Sequence, residues 1–345
     1  MSSINDRTDI LFVSSYLSKY KGSLCVSEKL AVNLNDLGYN AQLVSRFRNR
    51  LIRIIDIIFK IFISNAKCIH IDVYSGQAFI ITEVASLLGK MLGKKIIFTL
   101  HGGALPDFYP NHRKRIHRAF NRADLITTPS KMLLLFFNDK GFDIRYIRNS
   151  VELEYFPFNR STVRPFTLLW VRAFDPTYNP QLAIQTLIKL LGKYPKATLT
   201  MVGPDKGALP EAIELIREHK LEPYIQISGP VSNRELYKYY QTHEVFLNTT
   251  SYESFGVAVM EAAACGIPMV SSKVGEIPYM WTHEENILMV DELKPDLFAD
   301  AVIRIFESPG LAHKLSRNAR KKAEEFDWQC IKPKWIELLR GFDEN

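Results

Sequence analysis

Residues 248–272 read NTTSYESFGVAVMEAAACGIPMVSS and form the most informative stretch of the chain. The pattern predicts the end of an apolar strand, then a polar loop that carries Glu253 and a glycine, then a helix with Glu261 in its second turn. Gly266 and the proline two residues later end that helix, and a second apolar strand begins at Met269. The stretch therefore predicts a strand, a loop, a helix and a strand, which is the repeating unit of a parallel α/β sheet.

The same stretch indicates a binding site for a nucleotide sugar. A loop of small residues that leads into a helix N-terminus presents backbone N–H groups without partners, and these suit a phosphate-rich ligand. Glu253 and Glu261 flank this anion site. Because phosphate repels carboxylates, we expect the two glutamates to accept hydrogen bonds from neutral sugar hydroxyls. The alternative is that both are solvated surface charges beside a helix.

Short apolar runs alternate with amphipathic stretches of helix length throughout the 345 residues, which is typical of parallel sheets with crossover helices. Two successive sets of strands predict an α/β fold with two doubly wound, Rossmann-like domains, and the periodicity lapses between them at residues 149–165. The predicted strands are 10–13, 41–44, 68–73, 96–100, 125–127 and 145–147 in the first half, and 166–171, 197–202, 224–227, 245–247, 268–270 and 286–290 in the second.

Composition and missing motifs exclude several other classes of protein. With 47% hydrophobic and 23% charged residues, the chain reads as globular. The four cysteines are scattered without a C-x-x-C spacing, and the first residues lack the layout of a signal peptide, so we expect reduced thiols and a cytoplasmic location. No G-x-G-x-x-G follows the first strand, and no P-loop, H-E-x-x-H or G-x-S-x-G motif is present.

The Glu-x7-Glu spacing resembles the signature of retaining glycosyltransferases of the GT-B fold, family 4, also called glycosyl transferases group 1. The resemblance implies that Glu253 contacts the transferred sugar and that Glu261 holds the ribose diol. It also implies that the backbone of the residues between them approaches the sugar and the diphosphate. These residues are Ser254, Phe255, Gly256 and Val257.

The resemblance continues in order along most of the chain. It implies that Gly22 lies in the first glycine loop, that His101 lies near the acceptor and the reacting sugar, and that Arg172 reads the phosphates. Val231 matches the loop that contacts the base. The implied domains are an acceptor-binding domain at 1–150, a domain for the nucleotide sugar at 165–325, and a helical segment at 326–345 that crosses back to the first domain.

One loop departs from the family pattern. The family places a Lys-Gly about five residues after the arginine, and that lysine helps to hold the diphosphate. Here Arg172 is followed by AFDPTYNP, so the loop has the form Arg-x5-Tyr-Asn-Pro. Lys206 is a candidate replacement, although it also reads as a solvated turn lysine. The missing lysine is the main sequence argument for weak or lost activity.

The resemblance implies a metal-independent hexosyltransferase without a cofactor, which moves a sugar from a donor of UDP or GDP type to a saccharide or lipid-linked acceptor in glycan biosynthesis. The alternatives are a GT-B protein that binds a nucleotide sugar without turnover, and another GT-B reaction such as nucleotide-sugar epimerisation. The sequence does not identify the base, the sugar, the acceptor or the oligomeric state.

The first half of the chain is basic. Residues 1–160 carry 23 Lys and Arg against 13 Asp and Glu, whereas residues 161–345 carry 21 against 24. Residues 46–63 are both basic and strongly apolar, and residues 111–118 add a second basic segment. The pattern predicts docking of a peripheral protein on anionic lipid, or a helix at 51–63 buried against the sheet, or both, with the arginines exposed and the isoleucines inside. Aromatic residues are not interleaved with the arginines, which argues against nucleic acid.

Overall fold

A computed structural model describes residues 9–14, 16 and 25–343. The chain divides into two compact units. One comprises the described residues up to Ser150 and those from Gln329 onward, and the other comprises Val151–Trp328. Residues 151–164, which the sequence analysis assigns to the link between domains, pack on the second unit. There the backbone N of Val151 donates to the carbonyl O of Phe326 at 2.9 Å.

The described part of the first unit contains a sheet of parallel strands flanked by helices. Its strands are β1 (Asp9–Val13), β2 (Asn40–Val44), β3 (Cys68–Val73), β4 (Lys95–Leu100), β5 (Leu125–Thr128) and β6 (Arg145–Tyr146). Its first helices are α1 (Val26–Asn35), α2 (Arg50–Ile63), α3 (Phe79–Met91), α4 (Leu105–Phe120) and α5 (Lys131–Asp139). The strand order is β2-β1-β3-β4-β5-β6, so the direction of winding reverses between β1 and β3.

The second unit has the same architecture with a different strand order. Its strands are β7 (Thr167–Val171), β8 (Thr198–Val202), β9 (Ile225–Ile227), β10 (Val245–Asn248), β11 (Met269–Ser272) and β12 (Leu288–Val290). Its helices are α6 (Pro180–Leu191), α7 (Leu209–Glu218), α8 (Asn233–Thr242), α9 (Val257–Cys265), α10 (Ile277–Met280), α11 (Pro295–Glu307) and α12 (Pro309–Glu324). The order β12-β11-β10-β7-β8-β9 reverses between β7 and β10. The last helix, α13 (Trp328–Asp343), belongs to the first unit from Gln329.

These features confirm the predicted fold class, with two doubly wound α/β units. The central strands are apolar on both faces because helices cover both sides of each sheet, and every residue of β3 and of β7 is buried. In sheets of this type ligands bind at the carboxyl ends of the strands where the winding reverses. A ligand site is therefore expected at the carboxyl ends of β1 and β3 in the first unit, and of β7 and β10 in the second.

Helix α9 anchors the informative stretch in the second unit. Every residue from Ala258 to Cys265 is buried, which explains why this helix is apolar on all sides apart from Glu261. Gly256 precedes the helix with a φ of 84°, and Gly266 follows it with a φ of 73°. Both angles lie in the left-handed region that favours glycine, so the two glycines fix where α9 begins and ends.

Candidate functional site

Arg172 follows β7 directly, at the reversal point of the second unit. Its Nη2 donates to Glu253 Oε2, and also to Asn248 Oδ1 at 3.1 Å. Its guanidinium carbon lies 5.1 Å from the centroid of the Tyr178 ring. Asn248 is held in turn, because its Nδ2 donates to Ser271 Oγ at 2.8 Å. These contacts fix a cation at the carboxyl edge of the sheet, with about 10% of the Arg172 side chain exposed.

Glu253 lies between Arg172 and the N-terminus of α9. While Oε2 meets Arg172, Oε1 accepts from the backbone N of Gly256 at 2.8 Å and from that of Phe255 at 3.4 Å. The carboxylate therefore occupies the end of the helix that carries partial positive charge. The sequence analysis predicts these amides as part of an anion site, and in the structure the anion that they bind is Glu253.

Two glycines allow neighbouring loops to pack directly against the backbone of Arg172 and Glu253. A Cβ added to Gly203, in the loop after β8, would lie 1.8 Å from the carbonyl O of Arg172. A Cβ added to Gly275, in the loop after β11, would lie 1.9 Å from the carbonyl O of Glu253. No side chain fits at either position. The backbone on both sides of the cluster is therefore packed as closely as the chain allows.

The loop that lacks the family lysine is rigidly held. Thr249 Oγ1 donates to the carbonyl O of Tyr178 at 2.9 Å, and the backbone N of Ser251 donates to the carbonyl O of Thr177 at 2.8 Å. Tyr178 packs its ring against Arg172, and burial raises the pKa of its hydroxyl. In this chain an aromatic ring thus lies beside the arginine, in the loop where the family resemblance implies an ammonium group.

The other predicted binding residues of the second unit lie at several places. Glu261 is buried and accepts from Tyr240 Oη at 3.2 Å. Burial raises the pKa of Tyr240 well above its ordinary value, and Glu261 adds to the effect. Lys206 is exposed in the loop after β8, where its backbone N donates to the carbonyl O of Phe174. Val231 is half-buried and packs on the core of the unit.

The remaining residues of the informative stretch differ in exposure. Phe255 is buried with its ring edge toward Phe326, Ser254 is half-buried, and Val257 is 39% exposed. Gly22, predicted for the first glycine loop, lies outside the described residues.

A second polar cluster lies at the carboxyl edge of the first unit, around His101. The Nε2 of His101 lies 3.4 Å from Asp72 Oδ1, and the Ser27 hydroxyl donates to the Asp72 carboxylate at 2.6 Å. The His101 ring also stacks on Tyr74, with 6.0 Å between centroids. Burial alone raises the pKa of Asp72, but His101, His70 and the Ser27 hydroxyl outweigh it, so the pKa of this carboxyl lies below its usual value. The structure thus pairs the predicted histidine with a buried carboxylate.

Asp72 and Ser27 are the members of this cluster that the sequence analysis missed. A usable signal was present, because His70 and Asp72 occupy alternate positions of an otherwise apolar strand and so share one face of β3. His70, which has no predicted role, is fully buried, and its Nε2 lies 2.7 Å from Thr99 Oγ1. Burial lowers the pKa of His70 to about 4, so this ring is neutral near pH 7.

Comparison with known proteins gives one family and one fold. Residues 152–322, just under half of the chain, match the family described as Glycosyl transferases group 1. The matched segment contains the Arg172 cluster. A D-inositol 3-phosphate glycosyltransferase of Saccharomonospora viridis is 25% identical over 214 residues, which are 57% of this chain and 50% of that protein. The chain thus spans about half the length of the curated relatives it matches.

Solved structures extend the fold to nearly the whole chain. Sucrose-phosphate synthase of Thermosynechococcus elongatus superposes with a TM-score of 0.80 at 20% identity, over 97% of this chain and 99% of that one. HepE of Anabaena, in complex with UDP and glucose, gives a TM-score of 0.75 at 16% identity, over 96% and 99%. At such identities the likeness establishes the fold, which is GT-B.

Proposed function

We propose that this chain is a retaining, metal-independent glycosyltransferase that moves a hexose from a nucleotide-diphosphate sugar to a saccharide or lipid-linked acceptor in glycan biosynthesis. The observation that carries the proposal is the cluster of Arg172, Glu253 and Gly256 at the reversal point of the second unit. The cluster lies within the segment that matches Glycosyl transferases group 1. The UDP in the HepE structure supports a UDP-type donor, with GDP as the other candidate.

The proposed chemistry follows from the charges at this cluster. When the bond from the anomeric carbon to the diphosphate breaks, negative charge develops on the diphosphate and positive charge on the carbon. Arg172 and the amides at the start of α9 are the groups that would stabilise the leaving diphosphate. Its oxygens would compete with Glu253 for these donors, and the released carboxylate would then accept from a hydroxyl of the sugar. Because Arg172 and the helix supply the positive charge, we expect transfer to persist in EDTA.

We assign the acceptor to the first unit, around His101. The buried Asp72 carboxylate lies 3.4 Å from Nε2 of His101 and favours one orientation of the imidazole. A cytoplasmic location is supported by the four free cysteines, since secreted proteins tend to pair theirs.

One observation favours a different candidate, namely binding without turnover. The family lysine is missing, and Arg172 is already engaged by Glu253 and Asn248. Donor hydrolysis separates the two candidates, because a protein that only binds releases no free sugar from the donor. Conversion of the donor sugar into its epimer would instead indicate the epimerase alternative.

The first experiment is a thermal-shift panel with UDP, GDP, ADP, dTDP and CMP. A ligand at about 100 times its dissociation constant stabilises the protein by roughly 2.7 kcal/mol, which is readily measured. We expect one diphosphate to raise Tm, and Arg172→Ala to weaken that diphosphate far more than its nucleoside. Arg304→Ala, which removes an exposed arginine paired with Glu284, is the matched control and should bind like the wild type. Equal losses for diphosphate and nucleoside would show that Arg172 does not read phosphate.

A further inference from the structure

Helix α2 has a wide apolar face that is exposed. Its buried residues are Arg53, Ile57 and Ile61. At 100° per residue the exposed ones form a single stripe along the other side of the helix. They are Leu51 (73% exposed), Ile52 (48%), Ile55 (65%), Phe59 (58%), Phe62 (66%) and Ile63 (55%). The alternative of a helix buried against the sheet therefore applies only to a narrow strip of α2.

A basic segment is fixed at the N-terminal end of this stripe. Arg46, Arg48 and Arg50 are all exposed. Arg53 turns back under the helix, where its Nε and Nη2 donate to the carbonyl O of Phe47 at 2.9 and 2.8 Å. The buried arginine therefore holds the arginine-rich segment against α2, and the charges stay beside the apolar face.

Helix α3 widens the apolar surface. The strand order requires right-handed crossovers that place α2 and α3 on the same face of the sheet, and the two helices pack side by side. Leu87 and Met91 of α3 are 46% and 73% exposed. Between the N-terminal ends of the helices lies a concavity of about 360 Å³, which is lined by apolar side chains, among them Leu51 and Ile80, and by the polar side chains of Arg50, Arg53 and Gln77. Isolated exposed apolar residues are ordinary, but a patch spanning two helices marks an interaction surface.

We infer that this surface docks on an anionic lipid bilayer, with α2 lying in the plane of the headgroups, its apolar stripe in the upper acyl region and its arginines on lipid phosphates. An amphipathic helix with arginines beside a large apolar face is the form that binds in this way. The helix has 14 residues, a length of about 21 Å, and within the described ranges no helix is long and apolar enough to cross a membrane.

Charge favours lipid over a second copy of the chain. The only acidic residue of α2 is the half-buried Asp56, so a second copy of this face offers few carboxylates to the arginines, whereas anionic lipids offer many phosphates. The inference does not depend on the proposed function, since it concerns the first unit alone. If both hold, the acceptor is presented at the membrane, which favours a lipid-linked one.

The test is co-sedimentation of the full chain with vesicles of phosphatidylcholine containing about 30% phosphatidylglycerol, and with pure phosphatidylcholine vesicles. We expect binding to the anionic vesicles that weakens in 0.5 M salt, because the arginine contribution is screened. The double variant Phe59→Ser with Phe62→Ser should bind at least roughly tenfold more weakly, since it removes the two largest exposed apolar side chains of α2, which would enter the bilayer. Arg46→Gln with Arg48→Gln should lose the preference for anionic vesicles.

Matched controls come from the second unit. Leu293→Ser with Leu297→Ser removes two apolar residues that are 39% and 38% exposed, and Arg217→Gln with Lys220→Gln removes two exposed charges. Both should sediment like the wild type. Absence of wild-type binding, or unchanged binding of the phenylalanine variant, would overturn the inference.

Two further readouts complete the test. Analytical ultracentrifugation that shows a dimer broken by the phenylalanine variant would also overturn the inference and assign the face to a second copy. The thermal shift with a nucleoside diphosphate, measured on every variant, reports folding of the second unit and keeps failure of the proposed function separate from failure of docking.

Discussion

Replacing Glu253 by glutamine keeps the size of the side chain and removes its negative charge. In the wild type one carboxylate oxygen meets Arg172 and the other accepts from the backbone N of Gly256 at 2.8 Å. A glutamine has one acceptor oxygen and one NH₂ group. Whichever way the amide turns, one of the two donors then faces another donor.

The expected loss of stability follows from the burial of this pair. The Arg172 and Glu253 side chains are about 10% and 9% exposed, and breaking a buried ion pair on one side costs about 3–5 kcal/mol. Asn248 still accepts from Arg172 in the variant, so we expect a loss near the lower limit, about 3 kcal/mol. For a unit of this size that corresponds to a fall in Tm of roughly 6–12 °C.

The effect on ligands separates the role of Glu253 from its effect on stability. A diphosphate competes with Glu253 for Arg172 in the wild type and meets no such competition in Glu253→Gln. We therefore expect the variant to bind the diphosphate at least as tightly as the wild type and to lose sugar transfer. Calorimetry with and without the diphosphate measures Tm and diphosphate binding, and a transfer assay with the sugar nucleotide measures the rate of sugar transfer.

Two results would refute this reasoning. A Tm equal to that of the wild type would show that the buried pair does not stabilise the unit. If Glu253→Gln lost both diphosphate binding and sugar transfer, Glu253 would be needed to bind the diphosphate rather than the sugar. Glu284→Gln is the matched control, because Glu284 pairs with Arg304 at an exposed site and such pairs contribute little.

Three further variants test other parts of the molecule. Asp72→Asn should lower kcat by roughly 10- to 100-fold through loss of a charge-assisted contact to His101, with diphosphate affinity unchanged; an unchanged kcat would contradict the positioning role. Burial holds the pKa of His70 at about 4 instead of 6.5, so the folded chain binds fewer protons than the unfolded chain between these values. The protonation of His70 therefore does not reduce the free energy of unfolding above pH 6.5, but reduces it by about 3 kcal/mol as the pH falls to 4. In urea unfolding curves, His70→Gln should show a smaller fall over this range. Gly275→Ala places a Cβ 1.9 Å from a backbone oxygen at a φ of 54°, and it should lower Tm far more than Gly93→Ala, which has a similar φ of 68° but no neighbour of its Cβ within 4 Å.

The sheets could be predicted from sequence because their central strands are buried on both faces. All twelve predicted strands are present, each within two residues of its predicted limits. Runs of apolar residues at this spacing leave little choice between structures, since parallel strands covered by helices need apolar side chains on both sides.

The contacts of the site could be predicted only in part. Glu253 and Arg172 follow from the motif, but the bond between them joins residues 81 positions apart, and no local pattern reports such a distance. Asp72 lies in a strand that otherwise reads as apolar and buried, so it was not predicted as a site residue. Its position two residues after His70 is a usable signal, because two polar residues on one face of a central strand are unusual.

For α2 the sequence left docking on lipid and burial against the sheet both open, and packing shows which of its residues are buried. Periodicity shows that the helix has apolar residues on more than one side, but it does not show which side meets the sheet. The structure places Ile57 and Ile61 inside and leaves Phe59 and Phe62 exposed. The buried Arg53 was equally unpredictable, because a charged residue on the inner face reads as a break in the pattern until its carbonyl partners are known.

Gly203 and Gly275 have a consequence for directed evolution of ligand binding at the Arg172 cluster. At these two positions the loops lie directly against the backbone carbonyl groups of Arg172 and Glu253, with no room for a Cβ atom. A library over these loops can vary neighbouring positions such as Lys206 and still leave the backbone of Arg172 and Glu253 in place. At 203 and 275, however, any added side chain would collide with the backbone of Arg172 or Glu253 and displace that residue. Clones that keep Arg172 and Glu253 but lose activity should therefore carry substitutions at 203 or 275.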